Sequence, residues 1–447
     1  MMGRLGVPGC RRPRPVILYP RRNSIVEAHA LLSDQTGRPS DHAPGAAGSS
    51  AAIRVEIASR IADVPAAAWD ACANPDPATF NPFLSHGFLK ALEDAGSVGG
   101  RSGWNPRHLV LKSAADEVMG VAPAYLKSHS QGEYVFDHSW ADAYMQAGGD
   151  YYPKLQIAVP FTPVPGPRLL VRPGAEAAAT EATLARAVMQ VVVEAGISGA
   201  HLTFVSEDQW QRLGMLGFLQ RTDQQFHWSN AGYATFDDFL ASLASRKRKA
   251  VRKEREEALS AGLTVKWLRG PEITEADWDA FFTFYMDTGS RKWGRPYLNR
   301  RAFSLIGAAT GAAPLLMFAL REVRPVAGSF HMIGGDCLYG RYWGATEHHP
   351  CLHFEMCYYQ AIDFAIAHGL KRVEAGAQGE HKLARGYLPT KTYSAHYIRD
   401  PNLRRAVADY LRRERAYVDR AAEELAGYAP FRRGPRDDST EAEDPPA

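Results

Sequence analysis

At 447 residues the chain exceeds one ordinary domain and leaves room for two or three units of about 150 to 200 residues. Its 45% hydrophobic and 23% charged residues are those of a folded globular protein, and a formal charge of +3 gives no overall drive toward DNA. Five cysteines, an odd number with no CxxC pair, argue against a disulfide framework and for a reducing, cytoplasmic setting.

Cys351, His353 and Cys357, with His348 and His349 just before them, lack the second clustered pair that a zinc site needs, so no metal is expected. No apolar run approaches the roughly 20 residues of a membrane helix, so no transmembrane segment is expected either. Residues 1–52, proline- and arginine-rich and then Ser, Gly, Pro and Ala in short alternation, read as a disordered leader and linker.

Order is expected from Ile53, where a strand runs to Ile57. Pro65–Cys72 and Ser85–Ala95 read as helices, the second with Ser85 as N-cap, and His108–Lys112 and Val118–Lys127 as a strand meander. From Tyr134 the chain concentrates aromatic residues around Asp137, His138, Trp140, Asp142 and Tyr144, the composition of a pocket wall or of an aromatic core. Pro160–Pro167 must be an extended loop. A helix over Ala177–Ala195, a strand at His201–Val205, a short helix at Gln209–Leu216 and a strand at Gln224–Trp228 close this half.

The order then repeats. Trp69, Asp70 and Ala71 recur as Trp278, Asp279 and Ala280, and the same offset carries the strand at Ile53 onto Leu263–Leu268. A second meander (Leu315–Arg321, Val326–Ile333, Cys337–Trp343), a long helix (Phe354–His368) and closing strands at Lys371–Glu374 and Thr392–Ile398 complete a tandem duplication of α/β units with a mixed sheet. Between the halves, Phe236–Ala261 reads as one helix whose middle, SRKRKAVRKER, is a phosphate-binding face or a solvated one. Arg404–Leu425 is a last helix, and the acidic tail that follows is expected to be disordered.

The segments YGRYWGA at Tyr339–Ala345, HFEMCYYQAIDFAI at His353–Ile366 and EAGAQGEHKLARGYLPTKTYSAH ending at His396 resemble the FemAB-like N-acyltransferases of the GNAT superfamily. FLSHGFLKALEDAGS at Phe83–Ser97 and the aromatic run fit the same family in the first half. The resemblance implies tandem GNAT-like domains at 53–232 and 263–427, joined by the basic helix at 233–262 and followed by the tail at 428–447. It also implies transfer of an acyl or aminoacyl group onto an amine of a small-molecule, peptide or cell-wall precursor. The donor is acyl-CoA or, as in the Fem peptidyltransferases, aminoacyl-tRNA, for which the basic helix is suited. The glycine loop that cradles acyl-CoA in GNAT enzymes has no clean copy before either long helix. A GNAT-shaped protein that binds an amino-sugar, peptide or lipid-linked ligand without turnover is the other reading.

Acyl transfer needs a proton acceptor, an oxyanion stabiliser and a proton donor, and the stretch 374–387 offers each. Glu380 or His381 would take the amine proton, and Lys382 and Arg385 would hold a phosphate or the oxyanion. Tyr342 and Tyr387 would protonate the leaving group, with Gly376 and Gly379 letting backbone amides approach the donor. Gln378 and Glu355 are expected near the substrate, and Asp137, His138, Trp140, Asp142 and Tyr144 on the acceptor side.

Overall fold

The computed structural model describes residues 25–27, 53–292, 296–376 and 379–432. In the first half these form β1 (Ile25–Glu27), β2 (Arg54–Ala58), α1 (Ala66–Ala73), α2 (His86–Asp94), β3 (Trp104–Pro106), β4 (His108–Lys112), β5 (Val118–Ala122) and β6 (Ala124–Lys127). There follow α3 (His138–Gln146), β7 (Lys154–Ile157), β8 (Leu170–Val171), α4 (Ala177–Glu194), β9 (Gly199–Val205), α5 (Glu207–Met215) and β10 (Leu219–Ser229). Two helices, α6 (Phe236–Ser242) and α7 (Ser245–Leu259), lead into the second half.

That half comprises β11 (Leu263–Arg269), α8 (Glu275–Lys292), α9 (Arg300–Thr310), β12 (Pro314–Arg321), β13 (Arg324–Ile333) and β14 (Cys337–Ala345). A continuous helical stretch comes next: α10 (Leu352–Phe354), a π-helical turn (Glu355–Tyr359) and α11 (Gln360–Ala367). The chain ends in β15 (Arg372–Glu374), a 3-10 turn (Glu380–Arg385), β16 (Leu388–Ile398) and α12 (Pro401–Ala426).

The fold is α/β with a large mixed sheet of eleven strands, ordered β11-β12-β13-β14-β15-β10-β16-β9-β7-β6-β3, beside a five-stranded sheet β1-β2-β4-β5-β8. Neither half keeps its own last strand. β10 lies between β15 and β16 of the second half, antiparallel to both, and β16 in turn pairs antiparallel with β9 of the first. The strand expected to close the first half therefore sits in the other, because β15 and β9 each end a parallel pair and leave an edge for an incoming antiparallel strand.

Local sequence explains most element ends. Ser85 caps α2, its Oγ accepting the N–H of Phe88 at 3.2 Å. Pro123, which has no N–H to give, divides the expected single strand Val118–Lys127 into β5 and β6, each in a different sheet. The basic linking segment is two helices rather than one. It breaks at Leu243, which is buried and bridged to Phe431, and at Ala244, whose N–H donates to Pro430 O at 2.9 Å. The leader contributes one strand, Ile25–Glu27, paired with β2, and residues 433–447 of the acidic tail lie outside the described residues.

One hydrophobic core fuses the halves. Phe88, Leu89 and Leu92 of α2 pack with Phe303 and Ile306 of α9, beneath Phe318 and Phe330 of the sheet. Gly87 permits this approach, since a Cβ there would lie 2.7 Å from Ala309 O. On the other face of the sheet, α6, α7 and α11 cover one cluster and α4 and α5 another.

Candidate active site at the parting of two parallel strands

β14 and β15 run parallel in the register Cys337↔Arg372, Leu338↔Val373 and Tyr339↔Glu374. β15 stops at Glu374 while β14 continues to Ala345, so the two strands part at this point. The residues just beyond it, Arg341, Tyr342 and Trp343, line a cavity of about 250 Å³. Tyr285, Thr288 and Gly289 of α8, then Pro296, Tyr297 and His353, complete the second half's share of the wall, and Tyr134 comes from the first half. Crevices beyond strand ends are where open α/β sheets hold ligands. Gly344 lets α8 come this close, because a Cβ on it would meet Phe284 O at 2.0 Å.

The first half reaches into the cleft a second time. Phe161, in the left-handed region at φ 56, stacks on Tyr297 with ring centres 4.7 Å apart, and its carbonyl accepts a hydrogen bond from Arg341 Nη2 at 2.6 Å. The corresponding parallel pair of the first half, β7 with β9, meets the same proline-rich segment, since Gly166 donates its N–H to Phe204 O at 2.9 Å beyond the last paired residues. The proline-rich loop thus packs where the first pair parts and, through Phe161, backs Tyr297 and Arg341 where the second pair parts.

Burial raises the phenol pKa values of Tyr134, Tyr285, Tyr297 and Tyr342, so the cleft's tyrosines keep their protons and act as donors. Arg341 adds a cation beside the Tyr342 ring. Where β15 ends, outside the cavity lining, Glu374 is 5% exposed, and burial pushes its carboxyl up to about 7 against the pull of Arg372, whose Nε lies 3.4 Å from Oε1. Its Oε2 is buried without a hydrogen-bond partner.

The stretch 374–387 folds against this cleft and against α7. Gly376 and Gly379 take positive φ values of 81° and 114°. Gln378 lies outside the described residues, as does the side chain of Glu380. His381 Nε2 is 2.8 Å from Tyr358 Oη, and its ring lies 6.1 Å from that of His353, which faces the cavity. Lys382 is buried, donates to Gly376 O at 2.8 Å, and is lowered by burial to about 8.

Arg385 forms a fork with Glu254 of α7 at 3.1 and 2.8 Å and lies 3.4 Å over the Phe354 ring, so its charge is matched within the protein. Tyr387 is fully buried and donates to Tyr358 O at 3.1 Å. Glu355 is likewise enclosed, bound by both arms of Arg255 at 3.0 and 2.9 Å and by Gln360 at 2.7 Å. Of the residues named from sequence, the structure gathers Tyr342, His381 and Lys382 around the cleft and its supporting turn. It places Arg385, Tyr387 and Glu355 in interior contacts.

The acceptor-side candidates of the first half lie apart from the cavity lining. Asp137 precedes α3, and His138, Trp140, Asp142 and Tyr144 lie on that helix, an element the sequence pattern does not predict. Trp140 packs with Leu403, Val407 and Leu411 of α12, while His138 and Asp142 are exposed and Tyr144 half-buried. Asp137 accepts from Lys154 at 2.5 Å and Tyr151 at 2.7 Å. Burial opposes its ionisation, but Lys154 and then His201 outweigh that and hold the carboxyl below its usual range.

Tyr285, Tyr297, Arg341 and Glu374 were not singled out for chemistry from sequence; Tyr134 entered as the start of the aromatic run and His353 only in the zinc pattern that was set aside. Arg341 stood inside YGRYWGA, and Glu374 opened the glycine-rich stretch, so a signal was present for both. For the others only the fold supplies it. Among the described residues no group of three or more His, Cys, Asp and Glu side chains is gathered as metal ligands. The turn before α10, where a coenzyme pyrophosphate would need backbone amides and glycine, instead carries Glu347. Hydrogen bonds from Arg321, His349 and Arg324 hold that carboxyl down to about 2.

Parallel strands that part beside a helix occur twice in this one chain, with the closing strands exchanged between the halves of a mixed α/β fold. The chain belongs to the FemAB-like family, described as peptidoglycan biosynthesis/recognition, whose model matches residues 60–433. This membership supports an acyltransferase-type function. No curated protein matches the sequence. Among solved structures the chain is similar to FemX, at 13% identity over 77% of this chain and 98% of that one with a TM-score of 0.49. It is also similar to the C-terminal domain of a putative lysylphosphatidylglycerol synthetase from Agrobacterium fabrum (9% identity, 77% and 96% covered, TM-score 0.47). A tandem GNAT protein from the clavulanic acid biosynthesis pathway resembles it at 11% identity, with 78% and 98% covered and a TM-score of 0.41. No helix among the described residues is long and apolar enough to cross a membrane.

Proposed function

We propose that the protein is an N-acyltransferase that moves an aminoacyl group from aminoacyl-tRNA onto an amine of a peptide or cell-wall precursor, in the cleft where β14 and β15 part. The observation that carries this reading is the cavity itself, which sets protonated tyrosines, a guanidinium and an imidazole around one small space. The amine nitrogen attacks the donor carbonyl carbon, and its proton passes to His353, the imidazole facing the cavity. Arg341 and the cleft phenols hydrogen-bond the oxyanion. As the carbon–oxygen bond to the ribose breaks, Tyr342 donates its phenol proton to the departing oxygen, and the proton taken up by His353 then restores the phenol, so that both groups end in their starting state. His381, bonded to Tyr358 and close to His353, is a positioning residue in this scheme.

Aminoacyl-tRNA is favoured over acyl-CoA by two features. The turn before α10 has no glycine and closes on itself through Glu347, held by Arg321, Arg324 and His349, so it offers no glycine cradle for a pyrophosphate. On α7, Arg246, Lys249, Arg252 and Lys253 are exposed, a stripe suited to an RNA backbone.

Thermal shift with acetyl-CoA and succinyl-CoA against charged and uncharged tRNA tests the donor, with stabilisation by charged tRNA alone expected. Transfer of radiolabelled amino acid to peptidoglycan-precursor peptides then tests the reaction. Stabilisation by a CoA ester with none by tRNA overturns the donor assignment. A Tyr342→Phe, His353→Asn variant with undiminished transfer overturns the site.

A further inference from the structure

A groove of about 590 Å³, separate from the cleft, is formed by α12, the 3-10 turn Glu380–Arg385, β10 and the start of α7. Leu383, Ala384 and Leu425 give it apolar surface. Tyr417 on α12 and Tyr428 just past its end line it as well, and each is 66% exposed. Rings left this open add little to the core and offer flat faces for stacking.

The polar groups sort by position. Asp223, Gln224 and Glu424 bring acceptor oxygens to the groove, and Gln224 Oε1 is buried without a hydrogen-bond partner among the described residues. The cations belong to α7, where Lys247 lines the groove and Arg246, Lys249 and Lys253 lie along the same helix. The carboxylates repel an acidic peptide, and α7 repels a basic one. Single-stranded RNA answers both, because its charge lies in the phosphates while its bases are neutral and present faces that stack. Adenine and cytosine also carry amino groups that donate to Asp, Glu and Gln oxygens. The groove adjoins the support of the cleft too. Leu383 and Ala384 share their turn with His381, whose ring is 6.1 Å from that of His353 in the cavity wall.

We propose that this groove seats unpaired nucleotides of an RNA whose phosphates lie on α7, stacking their bases on Tyr417 and Tyr428. Gln224, Asp223 and Glu424 accept from the amino groups of adenine or cytosine. The proposal deepens the assignment of tRNA as donor and rests on it for the identity of the RNA, while the groove is tested with plain oligonucleotides.

Fluorescent RNA hexamers of C, A or U and a blunt RNA duplex are titrated into the full chain at low salt. The C and A hexamers are expected to bind several-fold more tightly than the U hexamer. Tyr417→Ala and Tyr428→Ala, both at exposed positions, should each weaken the C and A hexamers about tenfold and leave the duplex unchanged. Gln224→Leu should narrow the preference over U, and Lys249→Ala should weaken every RNA alike and flatten the salt dependence. Hexamer affinities that are equal for the three bases and unmoved by the tyrosine variants overturn the proposal, while stabilisation by charged tRNA would still uphold the donor assignment. Hexamer binding that depends on Tyr417 and Tyr428 without stabilisation by charged tRNA supports the groove and counts against the donor assignment instead. A labelled lysine-rich hexapeptide whose binding is abolished by Tyr417→Ala would give the groove to a cationic peptide and overturn the proposal. Failure of the wild type to bind any RNA overturns it together with the reading of α7.

Discussion

Replacing Glu374 by Gln separates a proton-handling carboxyl from one that merely fills space. Burial raises this carboxyl from an ordinary value of 4.5 to about 7. A folded-state value above the unfolded one means that the native protein holds a proton which the unfolded chain has already released. The wild type therefore loses stability as pH rises from about 4.5 to 7 and stays at the lower level above that. At about 1.4 kcal/mol per pH unit the gap corresponds to about 3 kcal/mol, or about 3 to 4 °C in Tm for a folded unit of roughly 400 residues. The assay is the thermal midpoint of wild type and E374Q at steps from pH 4 to 8.5, read as the difference between the two so that other titrating groups cancel. E374Q should gain on the wild type steadily across that window. A pH-independent difference would refute the reasoning, because Glu374 would then ionise in the folded protein as readily as in the unfolded chain.

Arg255→Ala strips both arms from a fully buried Glu355 and should cost about 3 to 5 kcal/mol by urea unfolding, with the double variant R255M/E355L recovering most of it. Lys382, lowered to about 8 by burial, should give the opposite pH signature to Glu374. Relative to K382M the wild type should gain stability as pH climbs from about 8 toward 10.5, measured by the same thermal midpoints. Gly344→Ala drives a methyl into Phe284 O, so α8 must move off β14. Transfer activity should fall at least about tenfold, with a Tm loss of a few degrees. Truncating the Arg385 fork by Glu254→Ala should free the guanidinium, lower Tm by a few degrees, and steepen the salt dependence of RNA binding.

Elements governed by local pattern were legible in the sequence. The strand His108–Lys112 and the helix beginning at Ala177 fall where alternation and helical periodicity put them. Where a distant segment decides, the sequence was silent. The break between α6 and α7 is set by Phe431, and the place of β10 by β15 and β16. In the site, the glycine-rich stretch was visible as chemistry, but which of its charges are already matched was not. Arg385 meets Glu254 and Glu355 meets Arg255, pairs separated by more than a hundred residues or close to it. The cavity wall shows the same limit: Tyr285 and Tyr297 are ordinary residues until the fold brings them to one space.

The exchange of β10 and β16 has a consequence for biosynthesis. As the chain leaves the ribosome, the first half cannot seal the open edge of β9 until Leu388–Ile398 has been made, close to the end of the described residues. For most of translation that half presents an unpaired strand edge, the kind of surface that chaperones cover and that other nascent chains can extend. Expression of residues 53–232 alone should therefore give aggregates, and supplying the second half in trans should rescue solubility only by delivering β16.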